Sequence, residues 1–288
     1  MATSDDVRVW IAEQVRGRVV GPDAAERHAG IHTAAAEHWF DDDAVIRRVH
    51  ADSAMFIGGL RALLLQSLHP LAMAGVADHS DYRTDPWGRL QRTARFMAAT
   101  TFGSAEHAEQ AVARVRAVHE HVVGVAPDGR AYAANDPHLL RWVHVAEVDS
   151  FLAAYRRYGA EELSDTDADE YVAQMAVVAR ALGVPAPPES VRSLRDQIRS
   201  YRRELSGTRQ VRDVARYLLW QPPMSLAARA PYGVLAASAV GLLPRWARRP
   251  LAVPWLPVAE AVVVRPAGEA ITRTLRWALQ APPAATHH

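Results

Sequence analysis

The sequence contains no cysteine. Disulfides, thiolate nucleophiles, iron–sulfur clusters and cysteine-ligated haem or zinc are therefore excluded together. Lysine is missing as well, so all 33 basic residues are arginine. With it go Schiff-base chemistry, a lysine general base and Walker-type phosphate binding. Charge of one sign is also lacking. The arginines face 32 acidic residues for a formal net charge of +1, which argues for no nucleic-acid or acidic partner. Long apolar runs are scarce too. One around 54–68 is interrupted by Arg61, and "GVLAASAVGLLP" at 233–244 is shorter than the roughly 20 residues a bilayer span needs. The opening stretch "MATSDDVRVW" is acidic and has no apolar h-region. The expectation is a cytoplasmic protein without a stable membrane span.

What is present is helix. The 288 residues are 49% hydrophobic, enough for one substantial core. Nearly every segment carries a helical period, and no convincing strand alternation appears. Helices are expected over 5–16, 23–38, 42–68, 70–77, 86–102, 105–123, 136–158, 167–182, 188–205, 208–219, 224–242, 245–249, 255–263 and 265–280. Asp85 before Pro86, and Asp136 before Pro137, have the form of an N-cap followed by proline at the first helical position. The stretch 123–136 holds a Pro-Asp-Gly turn and reads as a loop or short hairpin. The fold class is all-α: a single-domain multi-helix bundle spanning 1–288.

Histidine is the abundant chemical side chain, at 13. His287 and His288 form a terminal tail and carry no argument. On the 105–123 helix, His119 falls within a stripe of Ala111, Val115, Val118 and Val122, whereas His121 points about 200° away toward solvent. On the next helix His144 is centred on a face of Leu140, Val148, Phe151 and Tyr155, with Glu147 at its edge as an orienting partner. Two imidazoles thus point inward from consecutive helices, either as core residues or as a site. His69 precedes Pro70 and should break the apolar helix there. His69 and His79 are expected to satisfy backbone carbonyls in an irregular connection. His28 and His32 have metal-sharing i, i+4 spacing, but in a polar segment.

Several metal signatures are absent. His119-Glu120-His121 has the wrong spacing for a zincin, no Glu-x-x-His pair supports a di-iron bundle, and no Gly-x-Ser-x-Gly elbow supports a serine hydrolase. Haem held by a neutral histidine, with arginine for its propionates, remains permitted. The helix 86–102 adds a stripe of Arg89, Arg92, Thr93, Phe96 and Thr100, the last four all within about 60° of Arg89 on a wheel. An arginine pair on such a face is either solvated or needs an anionic ligand.

The runs "LLLQSLHPLAMAGVADHSDYRTDPWGRLQRTARFMAATTFG" and "VRAVHEHVVGVAPDGRAYAANDPHLLRWVHVAEVDSFLAAYRRYG" closely resemble the MpaB-like family. It is named for a fungal mycophenolic-acid oxygenase and the catalytic domain of the latex clearing protein. The resemblance covers about 40–280. It implies globin-like helical elements around a haem b pocket, with oxygen-dependent chemistry on a small, largely apolar molecule. His119 in "VRAVHEHVVG" matches the axial iron ligand, and His144 in "WVHVAEVDS" is the second candidate for that ligand, or a neighbouring group whose tautomer Glu147 fixes. Arg89, Arg92, Thr93 and Phe96 would form its distal wall and anchor. Arg89, Arg92 and Thr93 would also position bound dioxygen or peroxide. The latex clearing branch has Arg-x-x-Lys-Thr where this chain has Arg89-Leu90-Gln91-Arg92-Thr93. An arginine stays protonated and neither binds iron nor acts as a base, so the chemistry of that branch does not transfer directly. Alkene cleavage, hydroxylation and dehydrogenation all stay open, as does a non-catalytic haem carrier or sensor.

Overall fold

In the computed structural model, residues 37–80 and 83–280 are described, together with positions 8, 9, 11–13 and 17. The expected helix over 23–38 lies almost wholly outside the described residues, as do His28, His32 and much of 5–16. Thirteen α-helices follow among the described residues. They are α1 Val45–Ala51, α2 Met55–Gln66, α3 Pro70–His79, α4 Pro86–Phe102, α5 Ala105–Glu120, α6 Pro137–Tyr158 and α7 Asp165–Leu182. After them come α8 Val191–Tyr201, α9 Arg209–Trp220, α10 Leu226–Gly241, α11 Arg245–Leu251, α12 Pro257–Ala259 and α13 Arg265–Leu279. A π-helical stretch, Glu260–Val264, joins the last two. The 123–136 loop is a small antiparallel hairpin, β1 Val123–Val125 with β2 Ala131–Ala133, turning through Gly129 at φ +84°. The all-α expectation holds.

Start signals act locally as expected. The Asp85 side chain accepts from the Gly88 N–H at 2.9 Å, and that of Asp136 from the His138 N–H at 2.7 Å. The expected single helix over 42–68 is instead two, and the reason is tertiary. Asp52 accepts from the Ala54 N–H at 2.7 Å, an Asx turn that stops α1. It also accepts from the Ala160 N–H at 3.0 Å and from the Arg276 guanidinium at 3.0 Å. A buried carboxylate thus ties the chain's first described helix to its last.

The helix α6 runs through the core, with Trp142, Val145, Val148 and Ala154 fully enclosed. It packs most extensively on α2. Close approach there requires Gly58, where an added Cβ would lie 2.8 Å from the Phe151 ring and 3.2 Å from its Cα. Beside it Arg61, which interrupts the apolar run, is 4% exposed. Its guanidinium donates to Ser150 Oγ at 2.8 Å, Asp149 Oδ2 at 2.7 Å and the Leu242 carbonyl at 3.0 Å. This arginine locks α2 to α6 and to the end of α10. Among the described residues no single helix is long and apolar enough to cross a membrane. The apolar pair α2 and α3 bends by 107° at His69-Pro70 and buries Leu64, Leu65, Leu68 and Met73 in the core.

Replacing Gly58 by alanine therefore forces Phe151 or the α2 backbone to shift. The expected loss is about 1–3 kcal/mol. It should appear as a lower urea midpoint with an unchanged m-value. An unaltered midpoint would show that the two helices have room to spare.

Candidate active site

Five helices surround a narrow cavity of about 90 Å³ in the core. Phe96, Met97 and Thr100 come from α4, and His119 from the last turn of α5. Leu140, Val143, His144 and Glu147 come from α6, Met175, Val178, Ala179 and Leu182 from α7, and His50 from α1. The lining is apolar except where three imidazoles, one carboxyl and one hydroxyl converge. Sites of this kind, mostly hydrophobic with few polar groups, are the usual form of small-molecule pockets. A larger open depression of about 370 Å³ lies outside, lined by Trp39, Asp41, Asp43, Arg48, Asp167 and Glu170. Its chemistry is that of surface ion pairs such as Arg48–Asp167 at 2.8 Å.

The three histidines differ in one decisive respect. His50 is satisfied at both ring nitrogens, Nδ1 with Thr101 Oγ1 at 2.8 Å and Nε2 with Tyr171 Oη at 3.2 Å. It is a structural core residue. His144 is 7% exposed, and its Nε2 has no hydrogen-bond partner. An orphaned buried nitrogen costs roughly 1–3 kcal/mol unless a ligand or ion takes it up. His119 is half-buried, and its ring likewise makes no hydrogen bond among the described residues. Burial lowers the pKa of all three, to about 3 for His50 and about 4 for His144. The neutral imidazole is the form that binds a metal.

Glu147 sits one helical turn beyond His144. The residue keeps some surface, but its carboxyl is enclosed, and burial pushes it up to about 7. No hydrogen bond joins it to His144 among the described residues, so it does not orient that ring as the wheel suggested. Tyr171 from α7 feels it instead: burial first, then the Glu147 charge, raises the phenol well above its ordinary range.

The α4 stripe divides along its length. Phe96 and Thr100 reach the cavity, and Thr100 Oγ1 donates back to the Phe96 carbonyl at 3.0 Å. Arg92 and Thr93 are exposed and do not line it. Arg92 pairs with Asp85 at 3.3 Å, and Thr93 Oγ1 donates to the Arg89 carbonyl at 3.2 Å. Arg89 is half-buried on the same face. On α5 the buried residues are Ala108, Ala111 and Val112, whereas Val118, placed inside by the wheel, is 58% exposed. His121 faces solvent as expected, bonded to the Ala117 carbonyl at 2.9 Å. His79 meets a backbone carbonyl, that of Val123, at 3.1 Å. His69 does not, and its nearest polar partner is Glu204. Sequence reasoning missed His50 and the whole α7 wall. The only signal for His50 was its place on an otherwise apolar face just before Asp52.

Residues 47–278 match the family model described as the ER-bound oxygenase mpaB/B'/rubber oxygenase catalytic domain. The chain belongs to this oxygenase family. No curated protein and no solved structure matches it. In this family member the matched span contains every wall of the cavity, from His50 on α1 to Val184 beyond α7.

The electrostatics of the cavity yield a pH test. Between about pH 4.5 and 7 the folded chain retains a proton on Glu147 that the unfolded chain releases, so this group's stabilising contribution falls as pH rises through that window. His50 and His144 act oppositely. Their contribution is present above about pH 6.5 and is lost as pH falls toward their lowered values. In Glu147→Gln only the first dependence disappears. Relative to wild type, the variant should gain up to about 3 kcal/mol between roughly pH 5 and 8, read from urea midpoints. A pH-independent difference would mean the carboxyl is solvated.

Proposed function

We propose that this oxygenase-family chain is a haem b-dependent oxygenase or oxidase acting on a small, largely apolar substrate. The observation that carries the reading is the unpartnered Nε2 of His144, facing a cavity that His119 also faces. Neutral imidazoles in an apolar wall are the donor set that haem iron takes. In the absence of cysteine and lysine, histidine is the strongest nitrogen ligand to iron that the chain can offer, and methionine thioether its only sulfur. As it stands the cavity is smaller than the roughly 300 Å³ at which ligand pockets begin. Seating a porphyrin therefore requires the walls to part, and α4, which leans mainly on α5, is the wall least tied to the core.

When bound, haem would supply the activation of dioxygen or peroxide. The chain's own residues do the rest. His119 would hold the haem iron, and His144 would be a neutral polar group inside the same cavity. Arg89 and Arg92, on the more open end of α4, would anchor the propionate carboxylates, with Arg92 exchanging Asp85 for a propionate. For Arg89, Arg92 and Thr93 to position and polarise the oxidant as well, α4 would have to turn its exposed face toward the widened cavity, whose wall Phe96 and Thr100 would close. Glu147, with its carboxyl poised at about 7, would hold or accept a proton during turnover. The apolar lining from Val143, Met175, Val178 and Leu182 suits a hydrocarbon-like substrate that is cleaved at an alkene, hydroxylated or dehydrogenated.

The test is an absorption spectrum of the protein expressed with added haem precursor, beside His119→Ala and His144→Ala. A Soret band is expected in the wild type and should be lost in the His119 variant. Loss in the His144 variant alone would reassign the axial ligand. A wild type without a Soret band would overturn the haem reading. Haem binding without dioxygen consumption, across reductants and an alkene and alkane panel, would leave a carrier or sensor.

A further inference from the structure

We propose that His69, His138 and Glu204 form a binding site for a first-row divalent cation, Zn²⁺ foremost, separate from the cavity. The three ligand atoms lie within 4.8 Å of one another. His69 occupies the bend between α2 and α3, in extended conformation ahead of Pro70. His138 is the second residue of α6, and Glu204 lies in the turn after α8. Segments remote in sequence thus deliver two imidazoles and one carboxylate to one point.

The second observation is the state of His69. Its side chain is 1% exposed, and neither ring nitrogen has a hydrogen-bond partner. Nε2 is aimed at Glu204 Oε2 but stands 3.4 Å away, longer than the roughly 2.7–2.9 Å of a charge-assisted hydrogen bond. Donor atoms bound tetrahedrally at about 2.0–2.2 Å from one ion sit about 3.3–3.6 Å apart, and His69 Nε2 and Glu204 Oε2 stand at 3.4 Å. His138 Nε2 meets the same carboxylate at 2.7 Å, a contact that opens slightly to admit an ion. The rings are already held. Tyr201 Oη donates to the His138 carbonyl at 2.8 Å, and Trp142 and Tyr201 pack beside His69.

Two histidines and one glutamate, in a chain without thiols, suit Zn²⁺ or Fe²⁺ rather than a softer or harder ion. The outer side is open: His138 and Glu204 side chains are 49% and 39% exposed, leaving a coordination position for water. The nearby Arg130 is neutralised by Asp128 at 2.7 Å. The site is not the cavity, because His138 precedes His144 by six residues, about 9 Å along α6. An ion there would pin the start of α6 to the α2–α3 bend and the α8 turn, and so position the helix that carries His144 and Glu147.

Zinc titration of the chelator-stripped full chain by calorimetry tests this, with Co²⁺ as a spectroscopic substitute. One equivalent of Zn²⁺ is expected to bind and to raise the melting temperature. Co²⁺ should show the intense visible band of a tetrahedral site. Glu204→Gln, half-exposed and nearly isosteric, should fold normally and lose at least about tenfold in affinity. His138→Gln should do the same, and His121→Ala should leave binding unchanged. No binding by the wild type, or a zinc equivalent lost with His287 and His288 rather than with Glu204→Gln, would overturn the proposal. The zinc titration is independent of the Soret band, so the two readings fail separately.

Discussion

Arg61 is the contact on which the rest of the architecture depends. A guanidinium 4% exposed in the middle of an apolar helix cannot shed its charge, so the fold must meet it. It does so with Asp149, Ser150 and the Leu242 carbonyl, which draws α2, α6 and α10 into one place. Removing one partner of such a pair generally costs about 3–5 kcal/mol, because a charge is left buried and unpaired. Gly58, one turn earlier, lets the helices come close enough for the pair to form. Once α6 is fixed at its middle, the side chains on either side of that point are aligned too. His144 and Glu147 face the cavity a turn before Asp149 and Ser150, and His138 stands at the helix start.

The same device recurs. Asp52 holds Arg276 and the Ala160 amide, and Arg248, also 4% exposed, holds Glu260 and the carbonyls of Gly241 and Leu243. In a lysine-free chain every buried cation is an arginine, permanently charged and able to engage several acceptors at once. The core therefore carries fixed-charge junctions between helices, whereas His50, His144 and Glu147 meet at the cavity. There the balance is reversed. His50 and His144 are held neutral by burial, and Glu147 is held near neutrality by the same cause. Below about pH 7 such a cavity carries no net charge.

Much of this was legible locally. The Asp-Pro helix starts, the His-Pro bend and the Pro-Asp-Gly hairpin are decided by residues next to one another, and all stand where the sequence places them. The inward direction of His144 was legible for a similar reason, because α6 is buried on nearly all sides and one wheel describes it well. The α1–α2 break was not, since Asp52 finds its partners 108 and 224 residues away. On α4 and α5 the wheel gave direction but not depth. Arg92, Thr93 and Val118 are exposed because neighbouring helices cover only part of each helix. His50 reached the cavity through α1, a helix whose separate existence depends on that same Asp52.

The two histidine groups on α6 are linked by the mechanics of a rigid rod. A 22-residue helix clamped at Asp149 and Ser150 transmits any displacement of its first turn to His144 and Glu147. That first turn is held by the Asp136 cap, by Tyr201 Oη on the His138 carbonyl and by the half-exposed His138–Glu204 contact, beside a buried imidazole without a hydrogen-bond partner. An ion bound by His69, His138 and Glu204 would replace that contact with three bonds to separate chain segments. Since α4 is the wall least tied to the core, a cavity that must widen for a large ligand needs its opposite wall to stay still. An ion at the α6 start would add to that rigidity, because the Arg61 clamp lies on the far side of the two cavity residues.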